Sequence, residues 1–108
     1  MMPEFDHQWK RLGLGDEELR QLQEGLLENP KAGKVLQGTG GLRKHRIAFP
    51  DRGKSGSGRV VYVDFTIYET IYLITAYPKS EKDNLSKAER NEIAKVITRL
   101  EKGLENRR

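Results

Sequence analysis

Six cations lie close together in the middle of the chain, within residues 43–59. They are Arg43, Lys44, Arg46, Arg52, Lys54 and Arg59. With Asp51 as the only acid, this stretch carries a charge of +5 in a chain whose net charge is +4. Glycines at 53, 56 and 58 let backbone N–H groups approach a phosphate closely. Such a concentration of charge is typical of a site for a polyanion, most often nucleic acid. The alternative is a solvated basic hairpin without a ligand.

The spacing of the cations predicts that three of them meet on one surface. Residues 42–49 and 59–66 have the composition of strands, joined by a loop at 50–58 that has no apolar residue. Since side chains alternate along a strand, Lys44 and Arg46 share a face. Arg59 opens the next strand, and the simplest antiparallel register places it beside them. We therefore expect Arg59 to be exposed and dispensable for folding, while His45, on the opposite face, packs against helices.

Further residues extend the predicted nucleic-acid-binding surface. Lys79 follows a third strand, residues 71–77, and can reach the same area from the side. Tyr77 offers a ring for base stacking or a hydroxyl, or has a structural role only. Arg43, Arg52 and Lys54 are the remaining candidates for contacts to nucleic acid.

Several other kinds of site are disfavoured by the residues themselves. The chain has no cysteine and only two histidines, His7 and His45, which excludes thiol chemistry and disfavours a metal centre. Gly53-Lys54-Ser55 lacks the preceding glycine of a P-loop because Ala48 occupies that position. We expect no cofactor and no metal.

Length and composition predict a single domain over residues 1–108, with 35% hydrophobic and 33% charged residues. No apolar run is long enough to span a membrane, and no apolar signal region opens the chain, so a cytoplasmic location is expected.

Helices flank the strands in the sequence. An apolar stripe at Phe5, Trp9 and Leu12 predicts a first helix. A second is predicted to begin at an Asp16 N-cap, to bury leucines 19, 22, 26 and 27, and to stop before Pro30. Residues 31–41 read as a connection. A Ser86…Glu89 capping box opens the last helix. The expected fold is α+β: an antiparallel sheet of three to four strands packed against two N-terminal helices and one C-terminal helix.

Four segments together resemble the RelE/HigB group of bacterial toxins from type II toxin–antitoxin systems. They are GTGGLRKHR at 38–46, GKSGSGRVVY at 53–62, IYLITAYPK at 71–79 and DNLS at 83–86. The resemblance covers residues 16–90 in order and spacing. It implies a small RelE-like domain that enters the ribosomal A site, cleaves messenger RNA during translation and is neutralised by a cognate antitoxin protein.

The resemblance also implies site residues. Lys44 and Arg46 match the family's basic residues before the hairpin, Arg59 matches the arginine after it, and Lys79 matches the basic residue after the third strand. Leu85 stands where many relatives carry a tyrosine, so the resemblance does not identify the general base.

The implied chemistry needs only these side chains. Attack of a ribose 2′-OH on its own 3′ phosphate builds negative charge that placed cations stabilise. Arg46 and Arg59 suit a bidentate clamp on that phosphate. Lys44 is the candidate base, if neighbouring cations favour its neutral form, and Lys79 or Arg59 would stabilise the leaving 5′ oxygen. Two alternatives share the surface: a ParE-type inhibitor of DNA gyrase, and a non-catalytic RNA-binding module.

Overall fold

Three helices and four strands follow one another in the computed structural model, which describes residues 3–48, 57–82 and 84–106. The helices are α1 (Pro3–Arg11), α2 (Asp16–Glu28) and α3 (Lys87–Asn106). The strands are β1 (Lys34–Val35), β2 (Leu42–Ala48), β3 (Ser57–Phe65) and β4 (Thr70–Pro78). They form one antiparallel sheet in the order β1-β2-β3-β4. The predicted α+β architecture is confirmed. The strand predicted over residues 42–49 corresponds to β2, and its last residue, Phe49, lies outside the described residues.

Helices α1 and α2 form as expected, with two differences in detail. The N-cap of α2 is Gly15, whose N–H donates to Glu18 Oε1 at 2.7 Å, so the prediction of Asp16 at this position was wrong by one residue. Leu22 and Leu26 are buried, but Leu27 is 72% exposed. Since successive residues of a helix are about 100° apart, a leucine directly after Leu26 turns away from the buried stripe.

Strand β1 lies inside the segment that was predicted to be only a connection. Lys34 pairs with Lys44 and Val35 with Arg43. This two-residue strand shows no hydrophobic alternation. Polar contacts at its start hold it in place. The Tyr62 hydroxyl accepts a hydrogen bond from the Gly33 N–H at 2.9 Å and donates to the Pro30 carbonyl at 2.7 Å. A Cβ at Gly33 would come within 2.9 Å of the Tyr62 ring, so only glycine fits there.

The α1–α2 face of the sheet carries the aromatic part of the core. Phe5 and Trp9 stack with their ring centroids 5.3 Å apart, and the Trp9 Nε1–H donates to the Gly15 carbonyl at 3.0 Å. The strand residues packed against these two helices are Val60, Tyr62, Leu73 and Ala76. Ile74 is the extra residue of a bulge, since Val61 pairs with Thr75 and Tyr62 with Leu73. The bulge brings Leu73 and Ala76 to one face although they are three residues apart.

The α3 face lies on the other side of the sheet. Leu42, Val61 and Val63 pack there with Ile97 and with partly buried residues of α3. The predicted capping box is confirmed: Ser86 Oγ accepts from the Glu89 N–H at 3.1 Å, and the Ser86 N–H donates to Glu89 Oε1 at 2.9 Å. Within the described ranges, no helix is long and apolar enough to cross a membrane.

Candidate nucleic-acid interface

Four cations lie on the α3 face of the sheet, outside its apolar part. Arg46 is paired with Arg59 across β2 and β3, and Lys44 is paired with Val61 in the next row. Lys34 of β1 lies opposite Lys44. Because directly paired residues of adjacent strands project to the same side, these four side chains belong to one surface, the cation face. The predicted convergence of Lys44, Arg46 and Arg59 therefore has a matching strand register.

Like charges dominate the cation face. Lys34 and Arg46 are exposed and Lys44 is half-buried. None of these three has a carboxylate within ion-pair distance in the part of the chain that the structure describes. Directly opposed like charges destabilise a strand pair. An anion between them removes that repulsion, so the face favours a phosphate ligand.

Arg59 is not solvent-exposed, although its position in the sequence suggested that it would be. It is only 4% exposed, and its Nη1 donates to the Gly58 carbonyl at 3.1 Å. The reason is that β3 is an inner strand, so Arg59 lies between Arg46 on β2 and Tyr77 on β4. The expectation that Arg59 is exposed was wrong, and its dispensability for folding loses its basis. Burial lowers the local dielectric, which strengthens its attraction for a phosphate.

Tyr77 lies beside Arg59 but is closed off from solvent. Its side chain is 3% exposed, and Lys82 Nζ stands 5.2 Å from the centroid of its ring. Contact of this ring with a base stays a prediction.

Lys79 is exposed just beyond the end of β4. Pro78 pairs with Gly58, which places Lys79 at the end of the sheet where the strand of Arg59 begins. This position is compatible with a contact to the same ligand from the side.

The other predicted RNA-binding cations fall in different places. Arg43 pairs with Tyr62 and lies on the α1–α2 side of β2, away from Lys44 and Arg46. Its Nη1 donates to the carbonyls of Lys31 at 3.3 Å and Gly33 at 2.8 Å, so the structure gives Arg43 a role in holding β1. Arg52 and Lys54 lie outside the described residues.

Three residues of this region were missed by reasoning from the sequence. Lys34 was missed because the strand β1 has no hydrophobic pattern. Asn84 accepts a hydrogen bond from Lys44 Nζ at its Oδ1, over a distance of 2.7 Å. Arg90, on the first part of α3, borders the same pocket. The basic character of Arg90 was the only available signal, and it resembles that of any solvated helix residue.

His45 and Leu85 do not supply obvious chemistry to the cation face. His45 is half-buried on the α1–α2 side of β2, beside the partly buried Ile47, and burial lowers the pKa of its imidazole. Leu85 is buried within the apolar part of the α3 face. The position at which the resemblance expects a tyrosine is thus filled by a core side chain.

Comparison with known protein families gives one match over nearly the whole chain. Residues 4–107 match the family described as RelE toxin of RelE / RelB toxin-antitoxin system. The match includes both helical layers and all four strands, and therefore the whole of the cation face. Membership of a toxin–antitoxin family also implies a cognate antitoxin as partner. The chain belongs to the RelE toxin family of toxin–antitoxin systems.

Proposed function

We propose that this toxin is an endoribonuclease that enters the ribosomal A site and cleaves messenger RNA during translation. The observation that carries the proposal is the direct pairing of Arg46 with Arg59 on the face where Lys44 occupies the next row. An inhibitor that cleaves nothing has no need for cations converging on one phosphate. The known relation of this family to a toxin–antitoxin system supports the biological setting.

The proposed reaction begins with transfer of the proton of a ribose 2′-OH to a base, for which Lys44 is the candidate. The 2′ oxygen then forms a bond to the adjacent phosphorus, and the bond from phosphorus to the 5′ oxygen breaks. The products are a 2′,3′-cyclic phosphate and a 5′-hydroxyl end. Lys79 or Arg59 would supply the proton or the positive charge that the leaving 5′ oxygen requires.

Arg46 and Arg59 would stabilise the negative charge of the five-coordinate phosphorus in this step. A guanidinium holds two oxygens at once, and its contribution grows where water is excluded. Arg59 is buried and Arg46 is exposed. We therefore assign the larger share of this stabilisation to Arg59.

Mapping RNA ends in cells tests the proposal. The toxin is induced in a bacterium together with one translated message and a matched message whose start codon has been removed. We expect new 5′ ends in the translated message only. Cuts in both messages would contradict ribosome dependence. Cuts in neither, accompanied by growth arrest, would contradict the nuclease proposal and favour inhibition of DNA gyrase or RNA binding without cleavage.

A further inference from the structure

A polar pocket adjoins the cation face between the sheet and the start of α3. Its volume is about 260 Å³, and its walls are Leu36, Lys44, Asn84, Leu85 and Arg90. Lys44 thus lies on the cation face and in this pocket at once. Among the described residues that line it are two cations and one amide, and none of these residues is a carboxylate.

The hydrogen bond between Lys44 and Asn84 fixes the orientation of the amide. An ammonium group can only donate, so the atom that accepts from Lys44 Nζ at 2.7 Å must be the amide oxygen. The amide nitrogen, with its two N–H groups, is then left for another acceptor. Asn84 also holds Lys44, a residue of β2, in place from a segment that lies 40 positions further along the chain.

Two cations near the start of α3 are paired with carboxylates, Lys82 with Glu89 and Lys95 with Glu92, whereas Arg90 has no such pair in the described part of the chain. Arg90 is half-buried and has no carboxylate within ion-pair distance among residues 3–48, 57–82 and 84–106. It also lies near the positive end of the helix dipole, which disfavours a cation. A bound anion would give Arg90 a partner of opposite charge and would also interact favourably with the positive end of the helix dipole.

We propose that this pocket binds the phosphodiester next to the scissile one on the same RNA strand. Arg90 and the Asn84 amide would contact its oxygens, while Leu36 and Leu85 would face the sugar. Lys44 and Arg46 are two residues apart on β2, about 7 Å along the strand. A single extended nucleotide can bridge that distance, so adjacent phosphates would reach the pocket and the clamp together. This inference rests on the proposed function and names a further part of its substrate site.

Asn84 has two roles within this site. Its amide N–H groups contact the phosphate, and its oxygen positions Lys44. Arg90 is assigned to substrate binding only. Loss of Arg90 should therefore affect binding alone, whereas loss of Asn84 should also affect the maximal rate.

The test measures binding of an oligoribonucleotide with 2′-O-methyl sugars, which cannot be cleaved, over a series of salt concentrations. Arg90→Gln should weaken binding by about tenfold and reduce the magnitude of the salt slope by about 0.7, the value for one phosphate contact on a single strand. Arg99→Gln, an equal change of charge at an exposed position of α3, is the control and should leave both unchanged. Arg90→Lys should restore most of the affinity. Melting curves of all variants show whether they are folded.

Cleavage on ribosomes carrying a short message separates the two roles. Arg90→Gln should raise the toxin concentration for half-maximal rate, whereas Asn84→Ala should lower the maximal rate by about tenfold and alter its pH profile. The pocket is ruled out if a folded Arg90→Gln behaves like Arg99→Gln. It is also ruled out if inorganic phosphate at matched ionic strength competes as well as the RNA, or if only affinity for the antitoxin changes. A parent protein that neither binds nor cuts RNA would instead remove the proposed function itself.

Discussion

The two faces of the sheet are built by the same strands but differ in how completely they are covered. On the α1–α2 face, here called the closed face, Phe5 and Trp9 stack on each other and lie in one buried cluster with Val60 and Tyr62. On the α3 face, apolar packing covers Leu42 and Val63 and ends where Lys44 and Arg46 begin. Strand alternation alone separates the two sets of side chains. One helix thus leaves part of its face open to a ligand.

This difference shows how stability and function are divided within a small domain. The closed face contains polar groups whose partners are backbone atoms, as with the Tyr62 hydroxyl. The open face contains cations that repel one another, including the pairs Lys34–Lys44 and Arg46–Arg59. Changes on the closed face should therefore lower stability, and changes on the open face should lower activity.

The largest effect is expected at Arg59, because this residue is both buried in the fold and part of the cation face. Arg59→Met keeps the length and packing of the side chain but removes its charge. We expect growth arrest to be lost and cleavage to fall by on the order of 100-fold or more. The loss of stability should be smaller than for Arg59→Ala, because the methionine side chain still fills the buried position.

Arg59→Ala is the matched variant and should lose activity and also stability, by about 1–3 kcal/mol, because it empties a buried position. Full toxicity in a folded Arg59→Met protein would remove Arg59 from the clamp. Equal stability of the methionine and alanine variants would show that burial of this side chain contributes nothing to the fold.

Arg46→Gln should affect activity without a loss of stability. Arg46 is exposed, so water screens its charge, and we expect a fall of about tenfold in cleavage. Relief of repulsion from Arg59 should leave stability unchanged or raise it by about 0.2–1 kcal/mol. Combined with Arg59→Met, the loss of activity should be much less than additive, because both residues act on one phosphate. Fully additive losses would indicate two independent sites.

Tyr62→Phe tests the closed face. The change leaves the Gly33 N–H and the Pro30 carbonyl without their buried partner, and should lower the free energy of unfolding by about 1–3 kcal/mol. Activity per folded molecule should be retained. Tyr72→Phe is the control, since no hydrogen bond of the Tyr72 hydroxyl is found in the described part of the chain, and denaturant titration should show little change. A stable Tyr62→Phe protein that no longer cuts RNA would contradict the division between the faces.

The smallest effect is expected from protonation of His45. Burial lowers the pKa of His45 below its ordinary value of 6.5, so the unfolded chain takes up this proton more readily than the folded one. The contribution to stability is complete above pH 6.5 and is lost as the pH falls through the lower pKa of the folded state. His45→Gln should flatten this part of the pH–stability profile, as measured by denaturant titration at a series of pH values.

Removal of the side chain tests the same residue in another way. His45→Ala should reduce stability more than activity, because the imidazole faces the helices and not the cation face. A His45→Ala variant that melts like the parent but does not cleave RNA would assign His45 a catalytic role.

Most of the secondary structure could be predicted from the sequence because its causes are local. The stripe of Phe5 and Trp9, the capping box at Ser86 and the alternation along β2 each depend on residues a few positions apart. The same alternation correctly separated His45 from Lys44 and Arg46. Strand β1 escaped prediction, since its pairing depends on Arg43 and Tyr62, which are distant in sequence.

The sequence by itself determined that Lys44 and Arg46 share a face and that a concentration of positive charge lies beside them. Only the tertiary structure decided which side chains lie next to these two cations. Burial of Arg59 follows from the place of β3 inside the sheet. Arg43 lies on the other face of β2, where it donates hydrogen bonds to two carbonyls of the segment before and at the start of β1. Strand pairing places Lys34 beside Lys44. Packing of the later part of the chain brings Asn84 and Arg90 next to the same side chain. The physical reason is that alternation along a strand is a local property, whereas exposure and charge partners depend on which distant segments lie next to that strand.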